Sequence, residues 1–80
     1  MKVLVKFFAS YREAAGLPEE TIEAFEGSTV GDIVKTVASK HPSLGSMKDA
    51  IRALNQNIVD ADAKVKDGDT LAIFPLVGGG

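Results

Sequence analysis

Apolar residues recur along the chain in two rhythms, one of period two near both ends and one of period 3.6 in the middle. Residues 2–8 alternate, with Val3, Val5 and Phe7 on one side and Lys2, Leu4, Lys6 and Phe8 on the other. This predicts a strand with one buried face and one partly exposed face. Residues 70–74 repeat the pattern: Leu71 and Ile73 share a face, and Ala72, Phe74 and, beyond the strand, Leu76 share the opposite one. Between the two lie Val30, Ile33, Val34, Val37 and Ala38, at spacings i, i+3, i+4, i+7 and i+8, which make one apolar stripe of an amphipathic helix. Thr29 and Asp32 have capping-box spacing at its start, Lys35, Ser39 and Lys40 face water, and Pro42 stops it.

The remaining elements are shorter. Ser10 and Glu13 also have capping-box spacing and predict a short helix through Ala14 and Ala15, stopped at Gly16 and kept from resuming by Pro18. Residues 21–25 fit a half-exposed strand with Ile22 opposed to Thr21 and Glu23. Leu44 and Met47 suit a helical turn tucked inward. Residues 51–54 and 58–59 read as short strands around an Asn55-Gln56-Asn57 turn, and Asp67-Gly68-Asp69 as a second turn. Together these elements imply an α+β domain with a sheet packed on one main helix, spanning residues 1–76, followed by a flexible tail at 77–80. The helix stripe would cover Val3, Val5, Phe7, Leu71 and Ile73. The opposite face would expose Leu4, Phe8, Ala72, Phe74 and Leu76, and apolar residues gathered beside a chain end suit a docking patch.

Composition narrows the function more than the fold. Eighty residues leave room for one small core. Nine Lys and Arg against 11 Asp and Glu give a formal charge of −2 with no basic cluster, which argues against nucleic acid and anionic membrane as partners. The absence of cysteine removes disulfides, thiolate nucleophiles and Cys-based metal sites. No apolar run is long enough to span a membrane, and no signal-peptide core follows Met1, so the cytoplasm is the expected compartment.

Candidate chemistry is scarce. His41 is the only histidine and adjoins Pro42 at a helix end, where a capping or surface role suits it better than general-base work. Asp60, Asp62, Asp67 and Asp69 lack the EF-hand spacing and read as turn residues, so no metal site is expected. No phosphate-binding glycine motif precedes a helix. What remains is the end, Phe74-Pro75-Leu76-Val77-Gly78-Gly79-Gly80. A strand runs into a proline and then into glycines that lack side chains, so the tail can enter a channel too narrow for other residues. From residue 77 to 80 it can reach about 13–14 Å. A carboxylate at Gly80, ionised at neutral pH, is a poor electrophile, and acyl chemistry there needs an outside activator such as adenylation by ATP.

The order of these motifs resembles a known family. Val5-Lys6-Phe7-Phe8-Ala9-Ser10-Tyr11-Arg12-Glu13-Ala14-Ala15-Gly16, Thr29-Val30-Gly31-Asp32-Ile33 and the stretch from Asp67-Gly68-Asp69 to Gly80 are similar to the opening, main helix start and end of the MoaD family, small subunits of molybdopterin synthase. Leu76 stands where that family usually has a second proline, and Gly78 where it often has alanine. The resemblance implies a β-grasp, ubiquitin-like fold and a sulfur carrier that binds no cofactor itself. A MoeB-like adenylyltransferase would use ATP to activate Gly80, and a sulfur donor would convert it to a thiocarboxylate. A MoaE-like large subunit would accept the tail, Val77, Gly78 and Gly79 threading inward while Leu4, Phe8, Phe74, Pro75 and Leu76 dock. Three other readings stay open: a ThiS-type carrier for thiazole synthesis, a protein modifier joined through Gly80 to target lysines, and a plain interaction domain. The short helix after the first strand speaks against the ThiS-type chain.

Overall fold

The structure is a computed structural model and describes residues 1–76. Five strands and two helices follow one another as β1 (Lys2–Phe7), α1 (Ala9–Ala15), β2 (Glu19–Glu23), α2 (Val30–Lys40), β3 (Ile51–Leu54), β4 (Asn57–Val59) and β5 (Thr70–Phe74), with a 3₁₀ turn at Pro42–Leu44 after α2. The strands form one mixed sheet in the order β2-β1-β5-β3-β4. β1 and β5, from opposite ends of the chain, lie side by side in the middle and run parallel, with Val5 opposite Leu71 and Phe7 opposite Ile73. Every other pairing is antiparallel.

Alternation on the two central strands makes one face entirely apolar. Val3, Val5, Phe7, Leu71 and Ile73 are buried there, and the α2 stripe of Val30, Ile33, Val34 and Val37 is buried with them in one core. Leu44 and Met47 turn inward as expected, and Ala50 and Val65 complete the cluster. Burying such side chains is worth roughly 1.5–3 kcal/mol each, so this face holds the fold. Tyr11, Ala14, Ala15 and Leu17 pack on the same core. The Ser43 hydroxyl also donates to the Ala14 carbonyl, at 2.6 Å, so α1 joins the helix side of the sheet and leaves the other face open.

The cap of α2 is complete. The Asp32 amide donates to Thr29 Oγ1 at 3.2 Å and the Thr29 amide donates to Asp32 Oδ2 at 3.0 Å. Gly31, inside the capping box, sits close against a neighbouring segment. A Cβ there would stand 3.2 Å from the Ala61 methyl, because the Gly31 amide donates to the Ala61 carbonyl and draws the two backbones together.

Three expectations are corrected. Ser10 does not cap α1: the N-cap is Phe8, no side chain bonds the free amides, and Ser10 lies within the first turn. The chain leaves β1 too abruptly for Ser10 to sit outside the helix, and Ala9 takes the strained left-handed φ of 51° to make the corner. β2 runs over Glu19–Glu23 and not 21–25, because antiparallel pairing to β1 starts at Lys6 with Glu19 and ends at Lys2 with Glu23. Phe25 falls beyond that ladder and is exposed. The turn between β3 and β4 comprises Asn55 and Gln56 alone, since Asn57 already pairs with Leu54.

Candidate functional site

The open face of the sheet is set by register. Residues paired across neighbouring strands share a face, so Leu4, Lys6 and Phe8 of the first strand region stand beside Thr70, Ala72 and Phe74 of β5. Ile51 and Ala53 of β3 stand opposite Phe74 and Ala72, and Ile58 of β4 stands opposite Ala53. On the far side Glu19, Thr21 and Glu23 of β2 face Lys6, Leu4 and Lys2. The face is therefore divided. Two lysine–glutamate rungs, Lys2 with Glu23 and Lys6 with Glu19, flank the Leu4–Thr21 pair on β1 and β2, and an apolar lane runs over β5, β3 and β4.

Phe8 and Phe74 form the head of the apolar lane. Their rings stack with centroids 4.5 Å apart at an angle of 13°. Phe8 is 37% exposed, Leu4, Phe74 and Pro75 are half-buried, and Leu76 is 60% exposed. The stack holds Phe74 at the point where β5 gives way to Pro75 and the terminal segment. The expectations for Val77, Gly78, Gly79 and Gly80 lie outside the described residues.

Beside the stack is a groove of about 610 Å³ with a floor of Ala53 and Ala72. Phe8 and Phe74 wall it on one side, and Thr70, Asn55 and Gln56 on the other, with Lys6 along the β1 margin. Sequence reasoning missed Ala53, Ile58 and this polar wall. The strand pattern of 51–54 and 58–59 was legible, but which face each strand turned outward depended on pairing with β5, and four or three residues are too few to declare it. The far wall is held firmly. The Asn55 amide group donates from Nδ2 to Asp69 Oδ1 at 2.9 Å, and its Oδ1 accepts from the Thr70 amide at 3.0 Å. Asp69 in turn accepts from the Lys66 amide.

Behind the sheet, the end of α2 carries the chain's one histidine. His41 is the C-cap residue, and its Nε2 donates to Glu20 Oε1 at 2.8 Å while its ring meets Phe7 edge-on at 6.0 Å. Lys40 adds a 3.4 Å ion pair to the other oxygen of Glu20. The His41 hydrogen bond holds the Glu20 carboxyl below its usual pKa against the opposing effect of burial, with Lys40 assisting. This clasp joins the edge strand β2 to α2 and lies on the face opposite the groove. Among the described residues no three His, Cys, Asp or Glu side chains gather to hold a metal ion, and no helix is long and apolar enough to cross a membrane.

A mixed sheet with a parallel central pair of end strands, one long helix packed across it and an open opposite face defines the ubiquitin-like β-grasp class. Within that class, the chain belongs to the ThiS family, whose pattern matches residues 5–80. It is similar along its whole length to the molybdopterin synthase sulfur carrier subunit of Chlamydomonas reinhardtii, with 41% identity over 83 residues and full coverage of both chains. The protein of the same description from Mycobacterium tuberculosis is 35% identical over 82 residues, covering 100% of this chain and 99% of the relative. The crystal structure of small archaeal modifier protein 1 from Haloferax volcanii superposes with a TM-score of 0.87 at 27% identity, covering 95% of this chain and 98% of that one.

Proposed function

We propose that the chain is a sulfur carrier, the small subunit of a molybdopterin synthase. The observation that carries this reading is positional: β5 ends at the head of an open apolar lane, at Phe74, Pro75 and Leu76, and Val77-Gly78-Gly79-Gly80 follow these in the sequence. Full-length similarity to relatives described as sulfur carrier subunits supports it. The chemistry follows from an inert carboxylate. An oxygen of Gly80 attacks the α-phosphorus of ATP on a MoeB-like adenylyltransferase and expels pyrophosphate. Sulfide sulfur from a donor then attacks the acyl carbon, the bond to the adenylate oxygen breaks, and AMP departs with that oxygen. The resulting thiocarboxylate is a sulfur nucleophile. A MoaE-like large subunit takes the tail, and the sulfur passes to a pterin precursor there. The carrier contributes the tail and the docking face, and the catalytic groups belong to its partners.

Intact mass after incubation with the adenylyltransferase, ATP and a sulfide donor tests this. A shift equal to one oxygen exchanged for sulfur, absent from a chain lacking Gly80, is the expected result; no shift under conditions that thiocarboxylate a related carrier overturns it. The match to a small archaeal modifier protein favours a second reading, in which Gly80 forms an isopeptide bond with lysines of other proteins. That reading predicts covalent adducts of higher mass that resist thiol reagents.

A further inference from the structure

The groove beside the Phe8–Phe74 stack has a shape that the strand pairing creates and a charge that has no ion-pair partner among the described residues. Its floor is two directly paired alanines, Ala53 on β3 and Ala72 on β5. Larger side chains rise at either end, the pair Ile51 and Phe74 toward the terminal segment and the pair Asn55 and Thr70 away from it. Two methyl groups between taller neighbours leave a depression in the middle of an otherwise filled sheet face. The polar end is rigid, because Asn55 is bonded to both Asp69 and Thr70. Lys6 stands along the margin as the register partner of Ala72. Glu19 faces it from β2, yet no salt bridge forms between them, and the ion pairs among the described residues lie behind the sheet at Glu20.

Resting on the carrier reading above, we infer that the depression over Ala53 and Ala72 within this groove seats one large apolar side chain of the large subunit, flanked there by a carboxylate that pairs with Lys6. The three terminal glycines carry no information about which protein they enter, since they present only backbone. A depression floored by two alanines, with a lysine on its margin, distinguishes partners by shape and by charge together. Burying the seated side chain supplies affinity, and Lys6 supplies selectivity, because a basic or neutral partner residue would leave its ammonium unpaired on desolvation.

The test is calorimetric titration of the intact carrier with a MoaE-like large subunit, with Tm recorded for every variant. Ala53→Leu fills the depression from a side chain that points to solvent, and is expected to abolish detectable binding with Tm unchanged or raised. Lys6→Glu is expected to weaken binding at least about tenfold, and Lys6→Arg to stay within about threefold of the parent. Lys2→Glu alters net charge equally on the same face but outside the groove, and is expected to stay within about threefold. Equal losses from Lys6→Glu and Lys2→Glu would reduce the effect to long-range charge and overturn the inference. Unimpaired binding by Ala53→Leu would overturn it also. In both cases Phe74→Ala still weakens binding if the carrier reading holds; absence of binding by the parent chain would remove that reading and this inference together.

Discussion

At the scale of single residues, the backbone angles at the β3–β4 turn are the most instructive feature. Asn55 and Gln56 both have positive φ, 50° and 74°, the signature of a two-residue type I′ turn. Asn tolerates this region well, and its side chain here serves as a strut to β5. Gln56 has no such use for its conformation. Replacing it with glycine relieves the left-handed penalty at some cost in unfolded-state entropy, so Gln56→Gly should stabilise by about 0.5–1 kcal/mol. In a thermal melt, Tm should rise by a few degrees, and a fall would show that Gln56 makes contacts worth more than its strain. The sequence flagged the trio 55–57 as a turn from composition. Its length was hidden, since asparagine suits both a turn and the first residue of an edge strand, and only pairing with Leu54 assigns Asn57 to the latter.

At the scale of elements, the signals that were legible are those written in local chemistry. The α2 stripe, its capping box and its stop at Pro42 involve residues within one or two turns of each other, and all appear in the fold where the pattern puts them. Thr29→Ala removes one half of the box and should cost about 1 kcal/mol, measured by denaturant unfolding. What stayed hidden are contacts between elements. Glu20 carried no visible partner in the sequence, yet it clasps His41 and Lys40 from 20 residues and more away. Its pH consequence has a definite sign. The folded-state pKa is lowered, chiefly by the His41 hydrogen bond, so the stabilisation is present above the unfolded carboxyl's pKa and is lost as pH falls through the folded value. Asp32 shifts the same way, held down first by the Thr29 amide. Stability should therefore decline in the acid range below about pH 4.5, near the ordinary glutamate pKa. Urea midpoints collected across that range should show a shallower decline for Glu20→Gln; an identical slope would mean that the clasp contributes nothing to stability.

For the whole molecule, the two faces of one sheet divide the tasks, and adjacent residues of β5 belong to different ones. Ile73 is fully buried against α2, whereas Phe74, the next residue, is half-buried and stacks on Phe8 in the open face. A domain of this size is held by roughly 4–12 kcal/mol in total. Ile73→Ala creates a cavity in the core and should cost roughly 2–5 kcal/mol, enough to unfold a substantial part of the population. Phe74→Ala forfeits the ring stack and partial burial, and should cost only about 1–2 kcal/mol. Binding should reverse the order once folded protein is compared with folded protein: Ile73→Ala should dock near normally, and Phe74→Ala should dock poorly, because a groove wall and the anchor of the terminal segment go with the ring. Denaturant unfolding and titration with the large subunit, run on the same two preparations, separate the effects. Equal effects on both quantities would mean that the sheet's faces are coupled, and that the open face is part of what holds the molecule together.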